Sequence, residues 1–363
     1  MRKVISCMMA IILGVTLFGC KSQKTQESSE ANTFDIKSAT NVVNTYMKYL
    51  MKEDYENGKK LYSGDLLSKI TPMTDGEMKV KGFNMSEINE VGKSGVIKVR
   101  VTRTNLKKAS ASLDEYTFKV IKDGAEYKIS EIASSAEKEA FYEDGGIRFR
   151  SKDNIKTNLI IDSSGIPQYA FSKDDKANVY KLPVPKNNFS NISFSYGGDK
   201  LGICTYDKNS YLGIIKIDES LAVQGGDEAG GAGGGGGGEG GKAGSNIMPR
   251  EKPIGKEISS VDVLRDSKVE FMTFSLDEKF MLAQYNRTNM GRCIRIYKAD
   301  SGELIPVKFE NNYPIDKVEI IFSSFDKGVV YYEVIPKGNI GKNEADIIGK
   351  WMLDLKEFKV KRA

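Results

Sequence analysis

The 363-residue sequence contains no histidine, and that absence excludes more chemistry than any motif adds. Serine and cysteine triads, most zinc sites, facial-triad iron centres and histidine acid–base catalysis all require an imidazole. Any catalysis would rest on Asp, Glu, Lys, Tyr or Ser alone, so neither an enzyme nor a metal protein is expected, and no cofactor is implied. A basic block is missing too. Lys and Arg number 54 against 49 Asp and Glu, and without Arg2 and Lys3 the balance falls to 52 against 49. Charge spread so evenly gives no phosphate-binding stripe, so nucleic acid is not an expected partner. Cysteine is scarce: Cys7, Cys20, Cys204 and Cys293 are the four present, too few for a disulfide framework. Cys204 and Cys293 lie in separate apolar segments, where a bridge between them or two buried free thiols are both open, the second being the plainer reading.

What is present begins with the amino terminus. Arg2 and Lys3 precede an uncharged apolar run from Val4 to Phe18, which has the length of a signal h-region and is too short for a membrane span. The run ends Leu17-Phe18-Gly19-Cys20. This order resembles the bacterial lipoprotein signal with its lipobox, although Phe18 stands where a small residue is usual. The resemblance implies removal of residues 1–19, lipidation of Cys20 and an extracytoplasmic, membrane-anchored chain. Two acyl chains on one cysteine anchor stably where one is marginal. The polar segment 20–33 reads as the lipidated tether.

Apolar residues make up 40% and charged residues 28%, ordinary for globular protein and sufficient for two domains. In the first, 34–145, Ala39, Val42, Val43, Tyr46, Met47 and Leu50 recur at helical spacing. A second helix is expected from Asp54 to Ile70, stopped by Pro72. The period then changes to two: Ile97, Val99 and Val101 alternate with polar residues, as do Tyr116, Phe118 and Val120. Asp123-Gly124 turns that strand into the next. Two helices followed by an antiparallel meander, with the stretch KEDYENGKKLYS, resemble the NTF2-like cone fold, an α+β plan. That resemblance implies a cone cavity, and Tyr46, Asp54 and Tyr62 are the residues placed to line it. Tyr46 and Tyr62 read more plainly as core aromatics with a wet tip.

The second domain, 146–363, is expected to be all-β. A phrase recurs in it: Phe171-Ser172 with Asp174 and Lys176, Phe194-Ser195 with Asp199-Lys200, Phe274-Ser275 with Asp277 and Lys279, and Phe322-Ser323 with Asp326-Lys327. Apolar strands follow three of the copies. The pattern resembles β-propeller repeats of the TolB and WD40-like type, in which the Phe fills the space between blades and the Asp and Lys decorate a hairpin. Phe274 to Phe322 spans 48 residues, one blade, whereas Phe171 to Phe194 spans only 23. A small or degenerate propeller is therefore expected, with a β-sandwich as the alternative.

Between Gly225 and Gly244 there are 13 glycines in 20 residues, which reads as a disordered loop. Gly236, Gly241 and Lys242 fit a phosphate-binding loop, but Ala243 stands where Ser or Thr must hold magnesium, so no nucleotide is expected. Asp207-Lys208-Asn209 and Asp174-Asp175 are oxygen-rich without the alternation of a calcium loop, and read as hairpin turns. The sequence as a whole points to a non-catalytic binding or scaffold lipoprotein whose partners are the membrane, through Cys20, and an envelope protein. The alternative is a ligand receptor or enzyme using the cone cavity.

Overall fold

The apolar spacing after Phe34 does form a helix, α1 (Ile36–Met51), which buries Ala39, Val43, Tyr46, Met47 and Leu50. The computed structural model describes residues 34–69, 76–186, 188–224, 251–338 and 345–363. The expected leader, the tether and the glycine-rich segment lie outside the described residues. The single helix expected over 54–70 is instead two short ones, α2 (Tyr55–Lys59) and α3 (Gly64–Lys69). The chain breaks between them because Leu61 and Ser63 exchange backbone hydrogen bonds with Ile129, at 2.8 Å each.

Six antiparallel strands follow in simple order: β1 (Met78–Val91), β2 (Ser94–Asn105), β3 (Ser110–Asp123), β4 (Glu126–Glu143), β5 (Gly146–Ser151) and β6 (Asn158–Asp162). The Asp123-Gly124 turn joins β3 to β4 as the sequence requires. The expected domain boundary at 145/146 is a second hairpin in the same sheet. Asp144 and Gly145 both take positive φ between paired Glu143 and Gly146, the geometry of a two-residue type I′ turn. Residues Ile36–Ala363 accordingly form one compact unit. Side chains stitch it: Arg100 Nη1 donates to Tyr196 O at 2.8 Å, Thr104 Oγ1 to Ile192 O at 2.8 Å, and Asn84 Nδ2 to Leu276 O at 3.0 Å.

After the short ribbon β7 (Tyr169–Phe171) and β8 (Lys181–Pro183), three meanders succeed one another. The first contains β9 (Phe189–Phe194), β10 (Lys200–Tyr206), β11 (Ser210–Ile217), the short helix α4 (Ser220–Gln224) and β12 (Gly255–Leu264). The second contains β13 (Ser267–Phe274), β14 (Phe280–Arg287) and β15 (Gly291–Lys298). Helix α5 (Phe309–Asn312) leads to the third: β16 (Val318–Asp326), β17 (Val329–Pro336), β18 (Gly349–Asp354) and β19 (Val360–Arg362). The described residues are mostly β, with one helical amino-terminal region, and the meanders pack against one another through shared apolar cores.

Burial records the stacking. Strand β10 is buried along nearly its whole length because both faces are covered. Leu201 and Ile203 join a core with Ile147, Phe149 and Ile160, while Cys204 joins a second core with Met272 and Met281. A Cβ on Gly202 would stand 3.0 Å from the Met281 sulfur, so any side chain there would make that methionine shift. In β17 burial alternates strictly, which marks the last meander as covered on one face only. Cys204 and Cys293 are both buried and free. Burial raises their thiols, to about 11 and about 12 respectively.

Two copies of the recurring phrase are structurally equivalent. Phe194 ends β9 opposite Leu201, and Phe274 ends β13 opposite Met281. In both, the next serine hydroxyl donates to the aspartate, Ser195 to Asp199 at 3.0 Å and Ser275 to Asp277 at 2.7 Å. It also accepts from the first backbone N–H of the returning strand, Lys200 at 3.3 Å and Phe280 at 3.0 Å. The other two copies differ. Ser172 keeps the turn, but Asp174 is drawn into an ion pair with Arg295 at 2.8 Å. Phe322 lies inside β16, paired with Tyr332, because that strand runs on to a tighter turn at Asp326-Lys327-Gly328. It still faces the preceding sheet, 6.1 Å from the Phe271 ring.

A buried charge node ties these sheets together. Arg295 on β15 donates to Asp262 of β12 at 2.9 Å, to Asp174 at 2.8 Å and to Glu310 of α5 at 2.6 Å. Asp262, fully buried, also accepts from Tyr297 OH at 2.8 Å and from the N–H groups of Lys173 and Val263. Lys308 adds a second cation on Asp174 at 2.7 Å. Burial alone would raise the Asp174 carboxyl, but Arg295 and Lys308 overcome it and hold it below its ordinary value.

Two expectations follow for stability. Phe194→Ala and Phe274→Ala each cost about 3–5 kcal/mol by cavity formation, while Asp199→Ala and Asp277→Ala at exposed turns cost far less. Phe322→Ala falls below the other two; equal losses for all three in urea denaturation would contradict the register described above. Arg295→Met strands buried carboxylates and costs about 3–5 kcal/mol; a change under about 1 kcal/mol would show the node to be dispensable.

Candidate functional site

The residues expected to line a cone are occupied structurally. Tyr46 and Tyr62 are buried with their hydroxyls 2.6 Å apart, and Tyr46 packs edge-on against Phe118 at 5.6 Å. Burial, and their mutual hydrogen bond in the case of Tyr46, raise the tyrosine hydroxyls above their ordinary range. Asp54 caps α2 instead. Its carboxylate accepts from Asn57 N at 3.2 Å and Asn57 Nδ2 at 2.6 Å, and these bonds lower its pKa. The structure brings Tyr46 and Tyr62 together as core and leaves Asp54 at a helix end; none of the three lines the cleft described next.

That cleft, about 770 Å³, opens between the end of α1, strand β1 and the second and third meanders. The volume suits a small ligand. Three β-bulges build its lining. Register slips between Val80 and Gly82 on β1, between Val269 and Phe271 on β13, and between Phe322 and Ser324 on β16. The extra residues are Lys81, Glu270 and Ser323, and all three line the cleft. A bulge re-aims the inserted side chain out of the strand's alternation, which adds Lys81, Glu270 and Ser323 to a lining that also holds the in-register polar residues Gln284, Asn286, Arg292 and Glu333.

Glu270 is held from two sides. Its Oε2 accepts from Gln284 Nε2 at 2.8 Å and its Oε1 from Arg292 Nε at 3.1 Å. Gln284 in turn accepts from Phe322 N at 2.9 Å, linking β13, β14, β15 and β16. Glu53 is paired with Lys79 at 2.6 Å. Lys81 differs: its ammonium lies 5.0 Å from the centroid of the Phe271 ring and has no ion pair among the described residues. Burial, helped by nearby Lys79, lowers its pKa despite the pull of Glu53 and Glu270. Lys52 and Lys268 add exposed cations at the rim.

Sequence reasoning missed Lys81, Glu270, Gln284 and Arg292. A signal existed for one of them: Gln284 interrupts FMLAQY, a strand otherwise apolar on both faces. The bulges that place Lys81 and Glu270 leave no mark in the alternation.

No protein-family model and no curated protein matches the chain. Among solved structures it is similar to puromycin hydrolase, with TM-score 0.32, 7% identity, and coverage of 77% of this chain and 46% of that one. It is also similar to the β-propeller domain of the Trilobed protease from Pyrococcus furiosus, at TM-score 0.24 and 10% identity over 78% and 83% of the two chains. A third likeness is to Chaetomium thermophilum Sqt1 bound to the N-terminus of ribosomal protein L10, at 0.28 and 11% over 82% and 79%. The chain thus spans less than half of the puromycin hydrolase. At these scores neither activity nor fold family transfers to this chain.

If Tyr46 and Tyr62 serve packing rather than chemistry, their contributions to stability are coupled. Tyr46→Phe and Tyr62→Phe each cost about 1 kcal/mol, and the double variant loses less than the sum, with a coupling of about 1 kcal/mol. Strict additivity in urea denaturation would break this assignment.

Proposed function

We propose that this chain is an extracytoplasmic lipoprotein, held to a membrane by lipid on Cys20, that acts by binding rather than by catalysis and whose partner is an envelope protein. The observation that carries the reading is the succession of sequence features at the amino terminus: Arg2-Lys3, the uncharged run Val4 to Phe18, then Leu17-Phe18-Gly19-Cys20. A binding role is supported by the stacked meanders of 189–362, a propeller-type framework that presents its turns and edges at the surface. For 34–145 the NTF2-like plan is kept as a proposal, supported by helices followed by an antiparallel meander. A catalytic reading through a cone finds no support in Tyr46, Tyr62 and Asp54, whose polar atoms are spent on each other and on a helix cap.

The test is Cys20→Ala. The variant is expected to escape lipidation and either remain unprocessed or appear in the soluble fraction. Normal processing, with the protein still retained by membranes after a carbonate wash, would refute the anchoring.

A further inference from the structure

We propose that the three-bulge cleft is a ligand site for an amphipathic anion, a molecule with one carboxylate or similar acidic head and an aromatic or aliphatic body. This site is independent of the anchored-binding reading, since every residue involved lies within Ile36–Ala363.

Charge pairing within the cleft selects the sign. Of its carboxylates, Glu53 is neutralised by Lys79 at 2.6 Å and Glu270 by Arg292 at 3.1 Å, with Gln284 as a further donor. Glu333 is the remaining acid in the lining, against the cations Lys81, Lys52 and Lys268. The surplus is positive. Lys81 is its centre, because it is the half-buried one and lacks an ion pair among the described residues. A lysine in that setting has lost water without a carboxylate in contact, since Glu53 and Glu270 act on it only from a distance, and the ring of Phe271 compensates only in part. An acidic ligand head supplies the missing partner with a charge-assisted hydrogen bond.

The walls select the rest of the molecule. Phe271 and Phe322, at 6.1 Å, form an aromatic floor. Leu106, 39% exposed, stands at the side with Met51 and Val269. An exposed leucine beside two aromatic rings and a cation describes a site wanting an apolar body next to an acidic head. The floor is fixed from behind, because the Phe322 N–H is hydrogen-bonded to Gln284 and Gln284 to Glu270. The cleft is therefore preformed.

Calorimetric titration of the full chain with 2-naphthoate tests the site. One saturable site is expected, and 2-naphthylmethanol, the neutral analogue, should bind at least tenfold more weakly, about 1.4 kcal/mol. Lys81→Gln should lower naphthoate affinity by a similar factor and abolish the preference over the alcohol, while Lys81→Arg retains it. Thermal melts matched to the parent chain show that the variants are folded. Should Lys81→Gln not fold, the naphthoate-to-alcohol ratio on the parent chain and the Lys81→Arg result still decide the matter. Absence of saturable naphthoate binding overturns the proposal. So does equal binding of the alcohol, or an unchanged preference in folded Lys81→Gln.

Discussion

Asp262 has no exposure to solvent at all, and a bare carboxylate there would cost several kcal/mol. Its two oxygens are matched by four donors from three places in the chain: the N–H groups of Lys173 and Val263, the Tyr297 hydroxyl and the Arg295 guanidinium. Arg295 spends its remaining donors on Asp174 and Glu310. Apart from Lys173 beside Asp174 and Tyr297 beside Arg295, these partners come from separate places in the chain. The turn after β7, strand β12, strand β15 and helix α5 must all be seated before the charges are satisfied. Hydrophobic stacking alone is non-directional and would tolerate sliding one meander over the next. The node does not, because a slip of one residue would turn Arg295 to the other face of its sheet. Apolar burial drives the meanders together, and the node fixes where they stop.

The same constraint explains why the phrase beginning at Phe171 became degenerate. Its serine still makes the turn, since Asp175 N donates to Ser172 O at 3.0 Å. Its aspartate, however, no longer receives the serine hydroxyl as Asp199 and Asp277 do. Asp174 instead faces Arg295 and Lys308. One copy of a repeated turn has been diverted from closing a hairpin to holding two meanders together, and the ribbon it leads into is only three residues long on each side.

How much of this was legible in the sequence depends on the kind of interaction. Local periodicity reported α1, the alternation of β2 and β3 and the Asp123-Gly124 hairpin, because each is written within a few neighbouring residues. The recurring phrase reported the turns at Ser195 and Ser275 for the same reason. Strand β1 was not read as a strand: Lys79, Lys81 and an exposed second half hide its period behind charge. The boundary expected at 145/146 fell on Asp144-Gly145, a turn signal equally compatible with a linker or a hairpin until the pairing of Glu143 with Gly146 is known. The candidate site suffered most. Tyr46 and Tyr62 lie 16 positions apart, and nothing in their spacing distinguishes a shared cavity wall from a shared hydrogen bond. The residues of the cleft come from strands separated by nearly the whole chain, and a bulge, which decides where Lys81 and Glu270 point, depends on the partner strand rather than on the sequence of its own.

The cleft also shows what stacked sheets must concede to hold a polar group between them. A regular strand offers such a space every second side chain, and in β13 those are Met272 and Phe274 on one face and Phe271 and Thr273 on the other. Placing a charge there by simple substitution would sacrifice packing area, at about 25 cal/mol per Å² of apolar surface. An inserted residue avoids that loss, since Val269 and Phe271 keep their pairing with Tyr285 and Gln284 while Glu270 stands outside the register. Lys81 does the same on β1, between Val80 and Gly82. The local ladder is disrupted at each insertion, and the strand bends more strongly there. Three such insertions, one in each of three sheets, bring Lys81, Glu270 and Ser323 to one cleft. The cation–aromatic contact of Lys81 with Phe271 joins the bulge of β1 to that of β13 directly.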